Sequence, residues 1–327
     1  MLLRKLITRT NPNHRLFLRQ SSQKYFKVTN KEEIHRGFVY KTGLNILDKP
    51  FEYGGSCVPG GLYFTTLEEI PEFYSYGCNL REITLPTDDP DFEMMPDENK
   101  FRANQIILGE KHSLLDIKTY QKFNLDPSQN YEFIKKMCTG HNLEVLKIIA
   151  SGKGNTEILD HIISNFILDA STKDNIDELN WWKDSGLELK YSKNAIHYAS
   201  ANGNFDVLNW WKDSGLELKY SENAIHYASK NGRIDVLNWW KDSGLELKYS
   251  KNAMDYASRD GHIDILKWWK DSGLELEYSE EAMDYASTDG HIDILNWWKD
   301  SGLELKYSKR VMDFASKYGH IDILNWW

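Results

Sequence analysis

Proline is missing from the last 200 residues of this 327-residue chain, since all eight prolines fall at or before Pro127. A stretch that long without the strongest helix breaker can be helical throughout, and the change at Pro127 marks a boundary between two domains. Cysteine is nearly as scarce. Cys57, Cys78 and Cys138 are the only three, an odd number with no CxxC pair, which excludes a disulfide framework and fits a reducing compartment. No run approaches the ~18 consecutive apolar residues of a membrane-spanning helix. Positive charge is also short: residues 1–130 hold 17 basic and 17 acidic side chains, and 131–327 hold 23 and 32. The acidic excess disfavours nucleic acid as a partner, because phosphate binding needs a clustered basic surface. These absences describe a soluble, intracellular protein.

Acids are absent from one further place. Residues 1–31 carry eight Lys and Arg and no Asp or Glu. Acid-poor, Arg-rich termini include mitochondrial transit peptides, and Leu2, Leu3, Leu6 and Ile7 would share one side of a short helix. Asn11-Pro12-Asn13 breaks that pattern early, so residues 1–24 read as a flexible basic lead-in and the cytoplasm, ahead of the mitochondrion, as the setting.

What the chain does have is tryptophan in adjacent pairs. They stand at 181/182, 210/211, 239/240, 268/269, 297/298 and 326/327, and these six pairs are all twelve tryptophans. A fixed 29-residue period means a stack of small units, none of which can bury its apolar face alone. Each copy parses as helix, turn, helix, loop. Serine (Ser192, Ser221, Ser250, Ser279, Ser308) precedes the first helix as its N-cap. Glycine (Gly203, Gly232, Gly261, Gly290, Gly319) ends that helix in the left-handed region. Asp235, Asp264 and Asp293 fall in the first turn of the second helix, where the dipole favours an anion.

The first helix is thin (Ala224, Ile225, Tyr227, Ala228), and the second carries the bulk at helical spacing (Ile234, Val236, Leu237, Trp240). At about ten residues, each helix is shorter than the ~12–15 that are marginal in isolation, so stability must come from burial between copies. Adjacent residues are 100° apart on a helix. The second tryptophan of each pair, in register with Leu237, therefore faces the core. The first stands on the flank, as a ladder of Trp181, Trp210, Trp239, Trp268 and Trp297. That ladder reads first as packing, shielded by Lys212 and Lys241, and second as a partner-binding stripe.

The motifs resemble those of ankyrin repeats. Asn-Ala-Ile-His at 194–197 and 223–226 stands where that family has Thr-Pro-Leu-His. Gly-His-Ile-Asp-Ile-Leu at 261–266, 290–295 and 319–324 is similar to its Gly-His-hydrophobic-Glu-Val-Val, and Gly-Leu-Glu-Leu at 244–247 to its Gly-Ala-Asp-Val. The resemblance covers 131–327, about seven copies. It implies a mostly α protein, a helix-turn-helix solenoid. These copies are four residues short of the usual 33 at the place of the family's β-hairpin finger, which implies blunted fingers. Tyr131–Cys138 with Gly140–Leu146 reads as a first, capping copy, and Thr156–Trp182 as a degenerate one with Asp174 in place of the turn glycine. The last copy stops at Trp327 inside its second helix, and an uncapped end there would be free to associate.

Residues 25–127 differ in kind. Tyr25–Thr29, Leu62–Thr66, Asn79–Leu85 and Asn104–Leu108 are strand-like runs bounded by Gly, Pro and Asp. Thr66-Leu-Glu-Glu69 is a capping box opening a short helix to Tyr76. A small α+β domain follows from these. Its segments (26–33, 43–47, 56–66, 76–86, 101–110) ahead of a Trp-rich array resemble the mimivirus-type ankyrin-repeat proteins, which implies a giant-virus setting and host–virus interaction but no reaction.

No catalytic constellation is legible. Gly54-Gly55 and Pro59-Gly60-Gly61 lack the Gly-Lys-Ser/Thr of a phosphate loop. Asp88-Asp89-Pro90-Asp91 lacks the ligand spacing of an EF-hand. Cys57, Cys78, His35 and His112 are too scattered for a nucleophile–base set. His262, His291 and His320 recur at one position, but helices ~8–10 Å apart cannot bring neighbouring copies to the ~2.0–2.1 Å of zinc–nitrogen bonds. They read as helix-start residues. His197 and His226 give way to Asp255, Asp284 and Asp313, which points to bonds with local backbone. No cofactor or metal is called for.

Positions that change polarity between copies mark the solvent face: Lys193, Glu222 and Lys251; Ala201, Lys230 and Arg259; Asn202, Asn231 and Asp260. With Trp210, Trp239 and Trp268 they form the candidate partner-binding surface. The reading that follows is a protein-interaction scaffold with a protein partner. Its rivals are an enzyme or small-ligand-binding leading domain whose repeats recruit substrate, and a structural virion component.

Overall fold

A computed structural model describes residues 23–55, 57–152, 154 and 156–327. All but the last two residues of the basic lead-in lie outside them. Compactness divides the chain into two units at 159/160, within the helix Glu157–Thr172. Among the described residues no helix is long and apolar enough to cross a membrane.

The amino-terminal unit is built on a seven-stranded sheet of order β4-β9-β6-β1-β5-β8-β7, every neighbouring pair antiparallel. Its strands are β1 (Tyr25–Thr29), β4 (Gly43–Ile46), β5 (Leu62–Thr66), β6 (Asn79–Thr84), β7 (Met94–Asp97), β8 (Lys100–Ala103) and β9 (Gln105–Ser113). A separate two-residue ribbon pairs β2 (Ile34–His35) with β3 (Phe38–Val39). The expected strands at β1 and β5 form with those bounds. β9 runs five residues beyond Leu108, because β6 continues to pair with it as far as Ser113.

β4, β7 and β8 were not legible as strands. β4 opens on glycine and leaves Leu44 and Ile46 exposed, and β7 contains Pro96. Both are edge strands, where an unpaired N–H is no loss and proline is tolerated. The capping-box segment forms a 3₁₀ helix, Ile70–Tyr76, whose cap is Glu69 with no side-chain bond. Pro71, sitting in its first turn, removes a donor there.

β1 lies mid-sheet with all five residues buried, so both faces of the sheet are covered. On one face Tyr25, Leu62, Phe64, Ile83 and Leu108 form a cluster with Tyr40. On the other, Phe26 meets Phe123 edge-on at 5.3 Å, from the helix Ile117–Phe123. Tyr120 of that helix donates to the Leu114 carbonyl at 2.8 Å and accepts from Asn130 at 2.7 Å. The expected first helix pair follows as Tyr131–Thr139 and Leu143–Ser151, each capped by an asparagine.

The carboxy-terminal unit is a stack of helix pairs. The first helices are Glu157–Thr172, Asn194–Asn202, Asn223–Lys230, Asn252–Arg259, Glu280–Asp289 and Val311–Tyr318. The second are Ile176–Asp184, Phe205–Asp213, Ile234–Asp242, Ile263–Asp271, Ile292–Asp300 and Ile321–Trp326. The five turn glycines all have positive φ, and Asp174 takes the same conformation at φ 59°. The expected serine caps are displaced by one residue, to Lys193, Glu222 and Lys251, and by two at the last copy, to Arg310. Only Ser279 is the cap itself; Ser192, Ser221 and Ser308 still accept the N–H two residues on, at 3.3, 3.5 and 3.1 Å. Among the described residues of 160–327 there is no strand, so the connections after each Gly-Leu-Glu-Leu are extended loops without a hairpin.

Candidate functional site

Three rows of side chains run along the repeat stack, and they differ in how far their polar groups are already engaged. The core row comes first because it fixes the others. The second tryptophan of each pair (Trp182, Trp211, Trp240, Trp269, Trp298) is at most 1% exposed. Each indole from Trp211 onward donates to a serine hydroxyl 40 residues earlier: Ser171, Ser200, Ser229, Ser258 and, for Trp327, Ser287, at 3.1–3.2 Å. Small Ala-Ser pairs on the thin helix make room for the ring, and the serine satisfies a donor that would be costly to bury alone.

The first tryptophan of each pair is half-buried. Trp210, Trp239, Trp268 and Trp326 donate to Asn180, Asn209, Asn238 and Asn296, the residue before the pair in the preceding copy, at 2.7–2.8 Å. Trp297 meets Lys267 at the equivalent place, which offers no acceptor. Lys241 and Lys270 do not cover rings. They donate to the carbonyls of Ser272 and Ser301 at 2.7 Å, at the end of the next copy's second helix. The ladder is therefore a seam between copies.

The loops form a second seam. Tyr191, Tyr220, Tyr249 and Tyr278 donate to the carbonyls of Glu217, Glu246, Glu275 and Glu304, at 2.9–3.2 Å. Lys219, Lys248 and Lys306 lie 4.4–4.7 Å over three of those rings.

The helix-start histidines serve the joints as well. A Cβ at Gly232, Gly261 or Gly290 would stand 2.8–3.1 Å from the ring of His262, His291 or His320, so each ring covers the turn of the copy before. The His/Asp position bonds backbone, though not locally. His197 and His226 accept the N–H of Ser221 and Ser250 at 3.2 Å, while Asp255 and Asp284 accept those of Ser279 and Ser308 at 2.9 Å. Burial holds both histidines down to about 4, and raises Asp255.

Several residues expected on a free surface are consumed by these joints. Ala201 is 7% exposed, a correction: its carbonyl accepts from Asn231 at 3.0 Å and Arg233 at 3.4 Å, which draws the next copy over it. Asn202 donates to the Thr172 carbonyl at 3.0 Å, so Asn202 and Asn231 are exposed staples. Asp260 holds Arg259 at 2.8 Å. Lys193, Glu222 and Lys251 are exposed, and Lys230 is half-buried.

The third row lies on the first helices and was missed in the sequence, where Tyr227 reads as core. Tyr198 is 43% exposed, and Tyr227, Tyr256 and Tyr285 are half-buried. Tyr198 and Tyr227 stack 12° from parallel at 6.5 Å. Arg259 lies 4.8 Å over Tyr256 and 5.9 Å from Tyr285. Among the described residues no hydrogen bond engages these four hydroxyls. The missed signal was spacing, for Asn223, Tyr227 and Lys230 (i, i+4, i+7) share the helix face opposite the buried Ile225.

Comparison with known proteins bears on this arrangement. The family model described as ankyrin repeats (many copies) matches residues 196–239. The ankyrin repeat protein R868 of Acanthamoeba polyphaga mimivirus is 41% identical over 146 residues, 42% of this chain and 71% of that protein. This chain belongs to the mimivirus ankyrin-repeat proteins. Ankyrin repeat protein R896 of the same virus is 40% identical over 143 residues, 43% of this chain but only 40% of its own length. The uncharacterized protein R869 is 48% identical over 100 residues, 30% of this chain and 72% of that one. Among solved structures, the human ASB11 ankyrin repeat domain is similar at TM-score 0.40 and 11% identity, over 49% of this chain and 80% of that one.

The leading residues of this ankyrin-repeat protein are also brought together in ways their spacing hid. His35 and Cys57 line one cavity. His112 lies apart from them, 2.9 Å from Glu82 and 3.6 Å from Glu110. Lys122 sits 3.1 Å from Glu110 and 3.6 Å from Glu82, so an ammonium group already occupies the centre of that potential ligand set. Cys78 stands elsewhere, beside Asn79.

Proposed function

We propose that the repeats are a protein-binding module whose contact surface is the tyrosine face of the first helices. The observation that carries this reading is the row Tyr198, Tyr227, Tyr256 and Tyr285, with unengaged hydroxyls and Arg259 laid across two of its rings. Tyrosine and arginine dominate the energetics of protein interfaces, because each buries a large rigid surface and keeps a polar tip. The tryptophan and loop rows have the same kind of composition, but their donors, that of Trp297 apart, are spent within the stack. Copy-to-copy variation at Lys193, Glu222, Lys251 and Lys230 flanks the tyrosines and would set specificity. The setting is the cytoplasm of the virus's host cell, a proposal supported by the origin of the relatives and by a sequence with only three cysteines.

Affinity capture from host cell extract tests it with three full-length baits: the natural chain, Tyr227→Ala/Tyr256→Ala/Arg259→Ala, and Trp239→Phe on the seam. A protein retained by the first and third and lost by the second is the expected result. Retention by all three would refute the assignment of the face.

A further inference from the structure

The amino-terminal unit contains a cavity that the repeat-based reading does not use. β1 pairs with β5 through two residues only, Tyr25 with Thr66 and Phe26 with Thr65. Continued in register, the ladder would set Val28 opposite Tyr63, but there the strands have parted. The Tyr63 carbonyl takes its hydrogen bond from the Lys27 ammonium instead, at 2.8 Å. A cavity of about 80 Å³ lies at this parting. A water needs ~10–15 Å³ on this measure, so there is room for a group of several heavy atoms.

Its lining is chemically one-sided. Lys27, His35, Arg36 and Lys100 contribute to it, no aspartate or glutamate does, and the walls include Phe73 and Tyr76. Lys27 is 5% exposed, and its other neighbour is the Tyr40 ring at 4.5 Å. Among the described residues no carboxylate lies within ion-pair distance of Lys27 or Arg36. Among the described residues Arg36 donates to the Cys57 carbonyl alone, a single bond for a group with five donors. Asp97 and Glu98 act on Lys100, and Asp97 also stands 4.0 Å from Arg102 and accepts the Cys57 N–H at 3.3 Å. The crowding is felt by the groups themselves. Burial lowers Lys27 to about 7, and burial followed by the charges of Lys27 and Arg36 lowers His35. A buried cation without a counter-ion is costly, and an anion in the cavity would offset that cost for Lys27, while the half-buried Lys100 and the exposed Arg36 bind it from the solvent side.

We infer that this cavity is a binding site for a small organic anion with a flat apolar body, of the class of aromatic phosphates and carboxylates. The anionic group sits between Arg36, Lys100 and Lys27, and the ring lies against Phe73 and Tyr76. Lys27 contributes from below, as the buried cation on the central strand β1, whereas Arg36 and Lys100 approach from the cavity mouth. The site is independent of the tyrosine face and stands or falls separately from it.

Calorimetric titration of the full chain with phenyl phosphate tests the assignment, with inorganic phosphate and benzyl alcohol as partial probes. Saturable binding of phenyl phosphate, at least about tenfold tighter than either partial probe, is expected, since neither carries both the charge and the ring. Arg36→Ala and Lys100→Ala remove charge-assisted bonds from the cavity mouth and should each weaken it about tenfold. Thermal melts of the unliganded variants, matched to the natural chain, establish that the fold is intact. Lys27→Met keeps the buried stem and should also weaken binding, which separates charge from packing. Binding by the variants as strong as by the natural chain, equal binding of benzyl alcohol, or no saturation at about 10 mM phenyl phosphate would overturn the assignment.

Discussion

Replacing His197 and His226 together by glutamine tests the joint between copies. Each imidazole is 1% exposed and accepts a backbone N–H through Nε2, so it must be neutral with its proton on Nδ1. At His226 that Nδ1 meets no acceptor, which adds to the cost of the site but not to its pH response. Burial lowers both groups from 6.5 to about 4; Lys193 adds to this at His197, and Glu222 opposes it at both. The folded value lies below the unfolded one. The contribution of each ring is therefore complete above pH 6.5 and is lost as the pH falls through 4. At about 1.4 kcal/mol per pH unit the shift corresponds to at most ~3.5 kcal/mol per ring, and with the rings just beneath the surface we take about 2 kcal/mol each. The natural chain should therefore lose roughly 4 kcal/mol more than the variant across this window, on the order of 10 °C in Tm. Glutamine Oε1 can accept the same N–H without titrating. Melts followed by far-ultraviolet circular dichroism at about pH 7, 6, 5 and 4 give the difference, and carboxylates common to both proteins cancel. Parallel loss of stability in the two proteins would show that the rings are not neutral acceptors.

The tryptophan rows make two further predictions. Trp240→Ala should cost about 4 kcal/mol through the cavity it leaves, and Ser200→Ala about 1–2 kcal/mol by stranding the indole donor. Urea unfolding of the two variants should therefore rank them in that order, and equal effects would deny the serine its role. Lys267→Asn restores the acceptor that every other copy offers its flank tryptophan, and should stabilise by about 0.5–1 kcal/mol. An unchanged urea midpoint would mean that Trp297 has no need of it.

Much of the repeat architecture was legible because it rests on local chemistry. The positions of the paired helices, the left-handed glycines with Asp174 standing in for one, and the orientation of Trp240 with Leu237 all follow from a 3.6-residue period and from what glycine alone does at no steric cost. The sheet was half legible. β1 and β5 announce themselves by β-branched and aromatic residues, but β4, β7 and β8 do not. An edge strand holding Gly43 or Pro96 draws its bonds from a neighbour, and no local preference records that. The candidate surface fared in the same way. Variation between copies pointed to Lys193 and Glu222 on exposed ground, yet also to Ala201 and Asn231, which are tied to each other across a joint between copies.

The period, the helix pairs and the direction of the core tryptophans were determined by the sequence alone, since each depends on residues within one turn or one copy. Which polar groups are spent and which are free was decided only by stacking. A Trp Nε1 finds its serine 40 residues back, and a tyrosine hydroxyl on the loop finds its carbonyl 26 residues on. Such partners meet because copies repeat in space, and the same stacking leaves the tyrosines of the first helices without partners. The cavity beside Lys27 is likewise a tertiary product: two strands that pair for two residues and then separate bring together cations from three segments, and nothing in any one of those segments foretells it.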